Sequence, residues 1–279
     1  MQTVLDLDLD FFIWPITHWP EGTGRLSESE CTHSSPEQVR EFLETRCSLK
    51  RGNNIPGHEM VEHRDAFSTW RRWLHAGVLS APFNVIHVDA HADLGLGDGG
   101  WVYLLSELLA LPVTQRNEPR FGTHGLNSGN YLAFAIANRW IGNLTYVFPY
   151  QKPERREPAT LNVFAGETFV QRVSPGGTVS EENPRPTDLL HLLFRDRNAR
   201  TGLIELRRYS PDSVKHIADG TLAPPKPMHV EPVVPFTYTP ADCFRFGGFT
   251  HIIVAQSPQY TPASADQLLP IFRDYFAEA

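Results

Sequence analysis

The sequence predicts an α/β fold with a mostly parallel central sheet. Strand-like and helix-like segments alternate along much of the 279 residues, a pattern that is typical of βαβ units. The hydrophobic content of 41% is also sufficient to bury one large core. We therefore expect three layers, α/β/α, in a single domain over residues 1–279.

The first predicted element is a strand at residues 3–12, in which every second residue is apolar. Leucines occupy one face of this strand, whereas Asp6, Asp8 and Asp10 occupy the other. Three buried carboxylates are costly unless they are paired with a cation, a metal or hydrogen-bond donors. The pattern therefore favours a metal site over its alternative, an exposed edge strand with a solvated acidic face.

Two helices are predicted next. Ser35 precedes a proline, and Gln38 follows three residues after Ser35, which is the spacing of a capping box at a helix start. A second, amphipathic helix is predicted from Glu59 to Leu79. In this second helix, His63 falls in line with the apolar stripe.

The remaining chain continues the alternation. We predict a strand in "FNVIHVDAHAD", helices in "WVYLLSELLAL" and "SGNYLAFAIANRWI", and a strand in "NLTYVFPY". Further on, we predict a helix in "TDLLHLLF", strands in "GLIEL" and "THIIVAQ", and a final helix in "SADQLLPIFRDYF". Residues 151–188 are rich in proline and charge, and we expect them to form an excursion over the surface.

The composition disfavours several classes of function. The formal net charge is −7, and the 25 lysines and arginines form no dense basic block, so we expect no nucleic-acid or membrane partner. No apolar run reaches the length of about 18 residues that a membrane span requires. The three cysteines are widely spaced and form no CxxC motif, which fits a reducing cytoplasm.

A second acidic segment, "HVDAHAD", contains His87, Asp89, His91 and Asp93 at alternating positions. Carboxylate oxygen and imidazole nitrogen at the end of one strand suit Mn, Fe, Co or Zn better than Ca or Mg. His87 lies deeper in the strand, where a histidine is usually a hydrogen-bonded core residue. We therefore assign metal binding to the last three residues and a core position to His87.

These motifs carry a resemblance to a known family. "DLDLD" and "DAHAD" resemble the DxD and DAHxD elements of the arginase and deacetylase superfamily, which together supply most of a dinuclear manganese site. The segments "LDLDLDFF", "VEHRDAF", "HVDAHADL" and "AQSPQYTP" resemble more closely the peptide arginases. Those enzymes hydrolyse arginine side chains in ribosomally made peptides to ornithine and urea. The resemblance thus implies an arginase-like fold and an arginine-containing precursor peptide as substrate.

The resemblance also implies a set of ligands for two Mn²⁺ ions. One ion would be held by His63, Asp8, Asp89 and Asp93, and the other by Asp8, Asp10, Asp89 and His91. Asp8 and Asp89 would then bridge the two ions. Asp6 matches no arginase ligand, and we expect it to orient a ligand from behind.

The same resemblance gives an expected mechanism and substrate contacts. Two divalent ions that share a water lower its pKa, so that a hydroxide can attack the guanidinium carbon near neutral pH. The departing amine needs a proton from a nearby acid. The segment "NSGNY" resembles the part of arginases that contacts the amino-acid end of the substrate, which implicates Asn127, Ser128 and Asn130.

The chain departs from the arginase pattern in three ways. DxD precedes DAHxD here, whereas it follows DAHxD in ordinary arginases. The histidine that serves arginases as a proton shuttle after SGN is missing, because Leu132 follows "SGNY"; His124 is a candidate substitute, or an ordinary loop histidine. The late glutamate that holds guanidinium has no clear counterpart. Glu205 and Glu231 are the remaining candidates, and we leave that partner unassigned.

Other functions stay open. The site also suits a metal-dependent C–N hydrolase for small guanidino compounds, or an amide hydrolase of the deacetylase type, although no adjacent histidine pair occurs. A phosphatase or nucleotidyl-transfer enzyme is disfavoured, since Phe12 breaks the haloacid-type motif and no GxxxxGK loop exists. A metal-binding domain without turnover is the non-catalytic alternative.

Overall fold

The computed structural model describes residues 1–17, 24–94, 100–149, 202–213 and 227–279, and the backbone of 172–173 and 179–180. Its centre is an eight-stranded, mostly parallel sheet with flanking helices. The predicted three-layer α/β/α fold is thereby confirmed. No helix among the described residues is both long enough and apolar enough to cross a bilayer.

The strands are short, and most belong to the central sheet. In chain order they are β1 (Thr3–Asp8), β2 (Ile13–Trp14), β3 (Thr32–His33), β4 (Ile55–Met60), β5 (Phe83–Val88), β6 (Ile141–Phe148), β7 (Arg172–Val173), β8 (Val179–Ser180), β9 (Leu203–Ile204), β10 (Arg207–Arg208), β11 (His229–Val230), β12 (Val234–Pro240), β13 (His251–Ala255) and β14 (Phe276–Glu278). The order in the central sheet is β14-β4-β13-β1-β5-β6-β12-β9. The pairs β2–β3, β7–β8 and β10–β11 form separate two-stranded ribbons.

The α-helices of the described residues are also short. They include α1 (Pro36–Glu41), α2 (Asp65–His75), α3 (Gly100–Ser106), α4 (Tyr131–Ala137) and α5 (Leu269–Phe272). A π-helical turn at Phe42–Arg46 extends α1, and 3₁₀ turns lie at Leu9–Phe12, Leu108–Ala110, Val113–Gln115 and Ala263–Leu268. The predicted capping box is present at α1, where Ser35 and Gln38 each bond the other's backbone N–H.

β1 lies inside the sheet, with a parallel neighbour on each side. Its register places Leu7 beside Val254 of β13 and beside Val88 of β5. Every residue of β1 is buried, and its leucines pack in the main apolar core. A strand covered on both faces explains why its aspartates are removed from water, in contrast to a solvated edge.

The strand predicted at residues 3–12 ends early, at Asp8. The chain turns there because the Asp8 carboxylate accepts the backbone N–H of Asp10, at 2.9 Å, and caps the 3₁₀ turn that follows. Period-2 alternation alone does not reveal such a cap. The turn brings Asp10 back towards Asp8 instead of carrying it further along the strand.

The prediction of one helix from Glu59 to Leu79 is wrong at its beginning. Residues up to Met60 belong to β4, which pairs in parallel with both β13 and β14. Sheet pairing overrides the helical pattern here, although Pro56 and Gly57 are residues that strands usually avoid. His63 therefore lies in the turn between β4 and α2, not on a helix.

The final helix is also shorter than predicted. A 3₁₀ turn occupies Ala263–Leu268, and α5 begins next to Pro270, whose ring fits the first turn of a helix. The last residues then form β14, an additional strand beside β4. The predicted helix "TDLLHLLF" lies outside the described residues.

Internal contacts divide the chain into two compact units. The first unit comprises 1–92, 141–156 and 237–279, and the second comprises 93–140 and 157–236. The single domain over residues 1–279 stays a prediction. Apart from the backbone of β7 and β8, the excursion predicted at 151–188 lies outside the described residues.

Candidate metal centre

Four neighbouring strands of the first unit end at one edge of the sheet, in the order β4, β13, β1 and β5. The ends of β1 and β5, together with the turn after β4, carry seven acidic and imidazole side chains. This aspartate–histidine cluster consists of Asp6, Asp8, Asp10, His63, His87, Asp89 and His91. The carboxyl edge of a parallel sheet is where α/β proteins commonly bind ligands, so the topology alone marks this edge as the candidate site.

His63 is held in place by Asp6. Its Nε2 lies 2.8 Å from Asp6 Oδ1, and its Nδ1 lies 2.9 Å from Asp8 Oδ2 and 3.0 Å from Asp89 Oδ2. When the ring is neutral and Nε2 donates to Asp6, the lone pair lies on Nδ1, which faces the two other carboxylates. A metal-binding histidine typically has this arrangement, with one nitrogen anchored by a carboxylate and the other facing the ion.

His91 has the same arrangement as His63, but it faces the other carboxylate oxygen of Asp89. Its Nε2 donates to the backbone carbonyl of Thr17 at 2.9 Å. Its Nδ1 faces Asp10 Oδ2 at 2.9 Å and Asp89 Oδ1 at 3.6 Å. The ring of Tyr260 packs edge-on against the His91 ring, with centroids 4.9 Å apart. His63 and His91 therefore each direct one nitrogen towards a pair of carboxylates.

His87 occupies a different position. Its register partner across the sheet is Asp6, and its Nδ1 lies 3.0 Å from Asp6 Oδ2. Its Nε2 lies 3.0 Å from the backbone carbonyl of His91. Both ring nitrogens thus face oxygen acceptors, and Nε2 also lies 3.5 Å from Asp89 Oδ2, so the core role expected of His87 stays a prediction. Asp6 consequently anchors two histidines at once, one through each carboxylate oxygen.

The charges within the aspartate–histidine cluster are strongly coupled. Burial and the charges of Asp8 and Asp89 raise the pKa of Asp10 well above its usual value. Burial also raises the pKa of Asp6, but His63 and His87 outweigh it and lower that pKa to about 2. In the same way, burial opposes the charged form of His63 and His91, yet the facing carboxylates raise both pKa values well above normal.

These residues fit a metal ion. Asp8, Asp10 and Asp89 are each at most 3% exposed, and in the described part of the chain their ion pairs run to histidines, not to lysine or arginine. Four carboxylates face three imidazoles in the cluster, so the carboxylates outnumber the rings, and the raised pKa of Asp10 reflects this crowding of buried carboxylates. The ligand atoms of Asp8, His63 and Asp89 lie within 4.8 Å of one another, as do those of Asp10, Asp89 and His91. The cluster can therefore hold a metal ion.

Asp93, the remaining predicted ligand, is buried with a φ of 44°. It begins the second unit, four residues after Asp89 in the same loop. A non-glycine residue rarely adopts this left-handed conformation, which occurs at functional sites more often than elsewhere. Its place among the ligands stays a prediction.

Sequence reasoning did not single out Ser257 as a site residue. It follows β13 by two residues, has a φ of 47° and is buried. Its hydroxyl donates to Asp8 Oδ2. The only sequence signal was its place in "AQSPQYTP", directly before a proline. The contact with Asp8 depends on β13 lying beside β1, which the sequence did not reveal.

The predicted substrate contacts lie in the second unit. Asn130 is buried, and its side chain accepts from the backbone N–H of Asn127 at 2.8 Å and donates to the Gly125 carbonyl at 2.9 Å. Asn127 in turn accepts from the Gly129 N–H. These bonds shape the turn before α4, in which Ser128 is half-buried. His124 is exposed, and its backbone carbonyl accepts from Arg120.

Both candidate guanidinium partners bind arginines of the chain itself. Glu231 is buried and pairs with Arg116 at 2.9 Å and with Arg139 at 3.0 Å, all in the second unit. Glu205 pairs with Arg207. Carboxylates that are already paired in this way have a structural role, and the guanidinium partner stays unassigned.

Comparison with known proteins adds no relative. No family model matches the chain, and no curated protein is significantly similar to it. The functional interpretation therefore depends on the geometry of the site and on the motifs in the sequence.

Proposed function

We propose that the protein is a dinuclear manganese-dependent hydrolase that converts arginine side chains of a ribosomally made precursor peptide into ornithine and urea. The observation that carries this proposal is the position of the Asp89 carboxylate. Its Oδ2 faces His63 Nδ1 at 3.0 Å, and its Oδ1 faces His91 Nδ1 at 3.6 Å. One carboxylate thus serves two adjacent groups of ligands, as a site for two ions requires.

Each group combines carboxylate oxygens with one imidazole nitrogen. Such a mixed donor set suits Mn²⁺ better than Ca²⁺ or Mg²⁺, which prefer oxygen alone. We assign His63, Asp8, Asp89 and Asp93 to one ion and His91, Asp89, Asp8 and Asp10 to the other. When bound, two such ions lower the pKa of a shared water and supply a nucleophile near neutral pH.

The residues of the chain have distinct tasks in this proposal. Asp6 holds the His63 ring, and the Thr17 carbonyl holds the His91 ring, so both metal-facing nitrogens are oriented in advance. Burial of the carboxylates strengthens their electrostatic attraction for cations. His124 is the candidate donor of the proton that the departing ornithine nitrogen requires. Overall, one water is added across the C–N bond, and urea leaves.

The substrate assignment comes from the resemblance to the peptide arginases. In this proposal, Asn127, Ser128 and Asn130 contact the substrate beside the reacting side chain. A modified precursor peptide also places the protein in the cytoplasm, where ribosomal products are available.

The decisive experiment incubates manganese-loaded protein with arginine-containing peptides and, separately, with free arginine, and follows urea and peptide mass. We expect urea together with ornithine-containing peptide. The Asp89→Asn variant and chelator-treated protein serve as controls without turnover. Urea from free arginine alone would instead indicate an enzyme for small guanidino compounds, and deacetylation of an acetyl-lysine peptide an amide hydrolase. Stoichiometric metal without any product would indicate a metal-binding domain.

A further inference from the structure

Ser257 combines a strained backbone with a contact to the metal-site candidate Asp8. Its φ of 47° lies in the left-handed region, which is unfavourable for a non-glycine residue. Its hydroxyl is directed inward and donates to Asp8 Oδ2. Strain of this kind persists only when its surroundings enforce it.

Backbone contacts fix Ser257 from both sides. Before it, Gln256 N–H donates to the Met60 carbonyl, and Ser257 N–H donates to the Val61 carbonyl, each at 2.9 Å. These two bonds continue the β13–β4 pairing past the strand ends. After it, the Ser257 carbonyl accepts from Tyr260 N–H at 2.9 Å. The strained conformation is therefore enforced by the sheet and by the turn that follows it.

The carboxylate of Asp8 is thereby bonded at both oxygens. Oδ1 accepts from the Asp10 backbone at 2.9 Å, and Oδ2 accepts from the Ser257 hydroxyl. Oδ2 also faces His63 Nδ1. Two donors on different oxygens fix the plane of a carboxylate, and each donor withdraws part of its negative charge. Both the orientation of a carboxylate and its charge affect how strongly it binds each of two cations.

We propose that Ser257 is a positioning residue that fixes the Asp8 carboxylate in the orientation needed to bridge two metal ions. This inference rests on the proposed function only insofar as it requires two ions at the site. It does not depend on which substrate is hydrolysed. The strained backbone is then retained because it directs a hydroxyl donor at Asp8 from the segment that follows β13.

The test uses two substitutions that both remove the hydroxyl but differ in backbone strain. Ser257→Ala keeps the strain, whereas Ser257→Gly relieves it. Calorimetric titration with Mn²⁺ measures affinity, electron paramagnetic resonance reports the coupling between bound ions, and thermal unfolding reports stability. We expect both variants to bind Mn²⁺ about 10- to 100-fold more weakly than wild type. We also expect the same altered spectrum in both, although the glycine variant is the more stable.

Other outcomes overturn the inference. If affinity and spectrum are normal in both variants, Ser257 does not position Asp8. If only the alanine variant binds weakly, in proportion to its lost stability, the role of Ser257 is purely structural. A wild-type protein that takes up one ion or none would refute the bridging role directly. A wild-type protein that binds two coupled ions but releases no urea would refute the proposed function and leave this inference intact.

Discussion

Two clusters of charged side chains, each containing buried carboxylates, differ in how their charges are balanced. In the aspartate–histidine cluster of the first unit, carboxylates exceed the imidazoles that face them. The second unit contains an ion-pair cluster in which the guanidinium groups of Arg116 and Arg139 both contact the Glu231 carboxylate. His229 lies 3.3 Å from the same carboxylate.

The difference separates a binding site from a structural contact. The guanidinium of Arg116 finds its hydrogen-bond partners within the protein. Besides its contact with Glu231, it donates to the backbone carbonyls of Leu109, Leu111 and Ala137. In the described part of the chain, the only cationic partners of Asp8, Asp10 and Asp89 are histidines, which compete with a metal for the same oxygens. A buried group with excess negative charge requires a cation, whereas one that is already paired requires nothing further.

The largest expected effect follows from Asp89→Asn, which removes the carboxylate shared by both groups of ligands. Loss of a residue that merely supports a ligand weakens metal binding by about 10- to 100-fold. We therefore expect Asp89→Asn to lose at least about 100-fold in Mn²⁺ affinity at each ion position. Calorimetry and metal analysis after dialysis measure this loss.

The matched control for Asp89→Asn is Asp274→Asn. Asp274 pairs with Arg40 at the surface, and its side chain is 44% exposed. We expect unchanged metal content in this control, because it tests removal of a carboxylate without touching the site. Two tightly bound ions in Asp89→Asn would show that this carboxylate is not shared.

The next largest effect is expected from Glu231→Gln, which breaks the second cluster. Removing one partner of a buried ion pair costs about 3–5 kcal/mol, because the remaining charge stays buried without its partner. We expect a loss of about 3 kcal/mol in the free energy of unfolding, measured with denaturant, and normal Mn²⁺ affinity.

Glu107→Gln provides the comparison for Glu231→Gln in the same unit. Glu107 pairs with Arg120, and both side chains are about half exposed. Exposed pairs of this kind contribute about 0–1 kcal/mol. If Glu231→Gln lowers metal affinity as strongly as stability, the two clusters are not the independent features that their charges indicate.

A smaller effect is expected from Asp6→Asn. The amide offers one acceptor oxygen where the carboxylate offers two, so either His63 or His87 loses its anchor. We expect Mn²⁺ affinity to fall by about 10- to 100-fold while two ions still bind. Complete loss of binding would instead make Asp6 a ligand. Unchanged affinity in both Asp6→Asn and Asp6→Ala, the second of which removes both oxygens, would show that Asp6 does not orient His63.

The smallest effect concerns pH. Burial alone raises the pKa of Glu231, but Arg116 and Arg139 outweigh it and hold that pKa below its usual value. A lowered pKa in the folded state contributes stability above the unfolded value of about 4.3, and this contribution is lost as the pH falls below it. The difference in melting temperature between wild type and Glu231→Gln should therefore be largest near neutral pH and decrease below about pH 4. A difference that is constant with pH would contradict this assignment.

Much of the fold could be predicted from the sequence because its signals are local. The capping box at Ser35 and the buried strand at residues 83–88 depend on neighbouring residues only. The strand β4 and the last strand β14 were missed, since "IPGHEM" has no strand-like pattern and both elements depend on pairing with distant strands. For the same reason His63 was placed on a helix although it lies in a turn.

The residue types of the candidate site were determined by the sequence itself. Alternating aspartates and histidines at the ends of two apolar strands indicated carboxylate and imidazole ligands, since such groups are not buried without partners. What the tertiary structure alone decided is which atoms meet. His63 contacts Asp6 across 57 residues, and Ser257 contacts Asp8 across 249. Contacts over such distances follow from the order of the strands in the sheet, which no local pattern along the chain encodes.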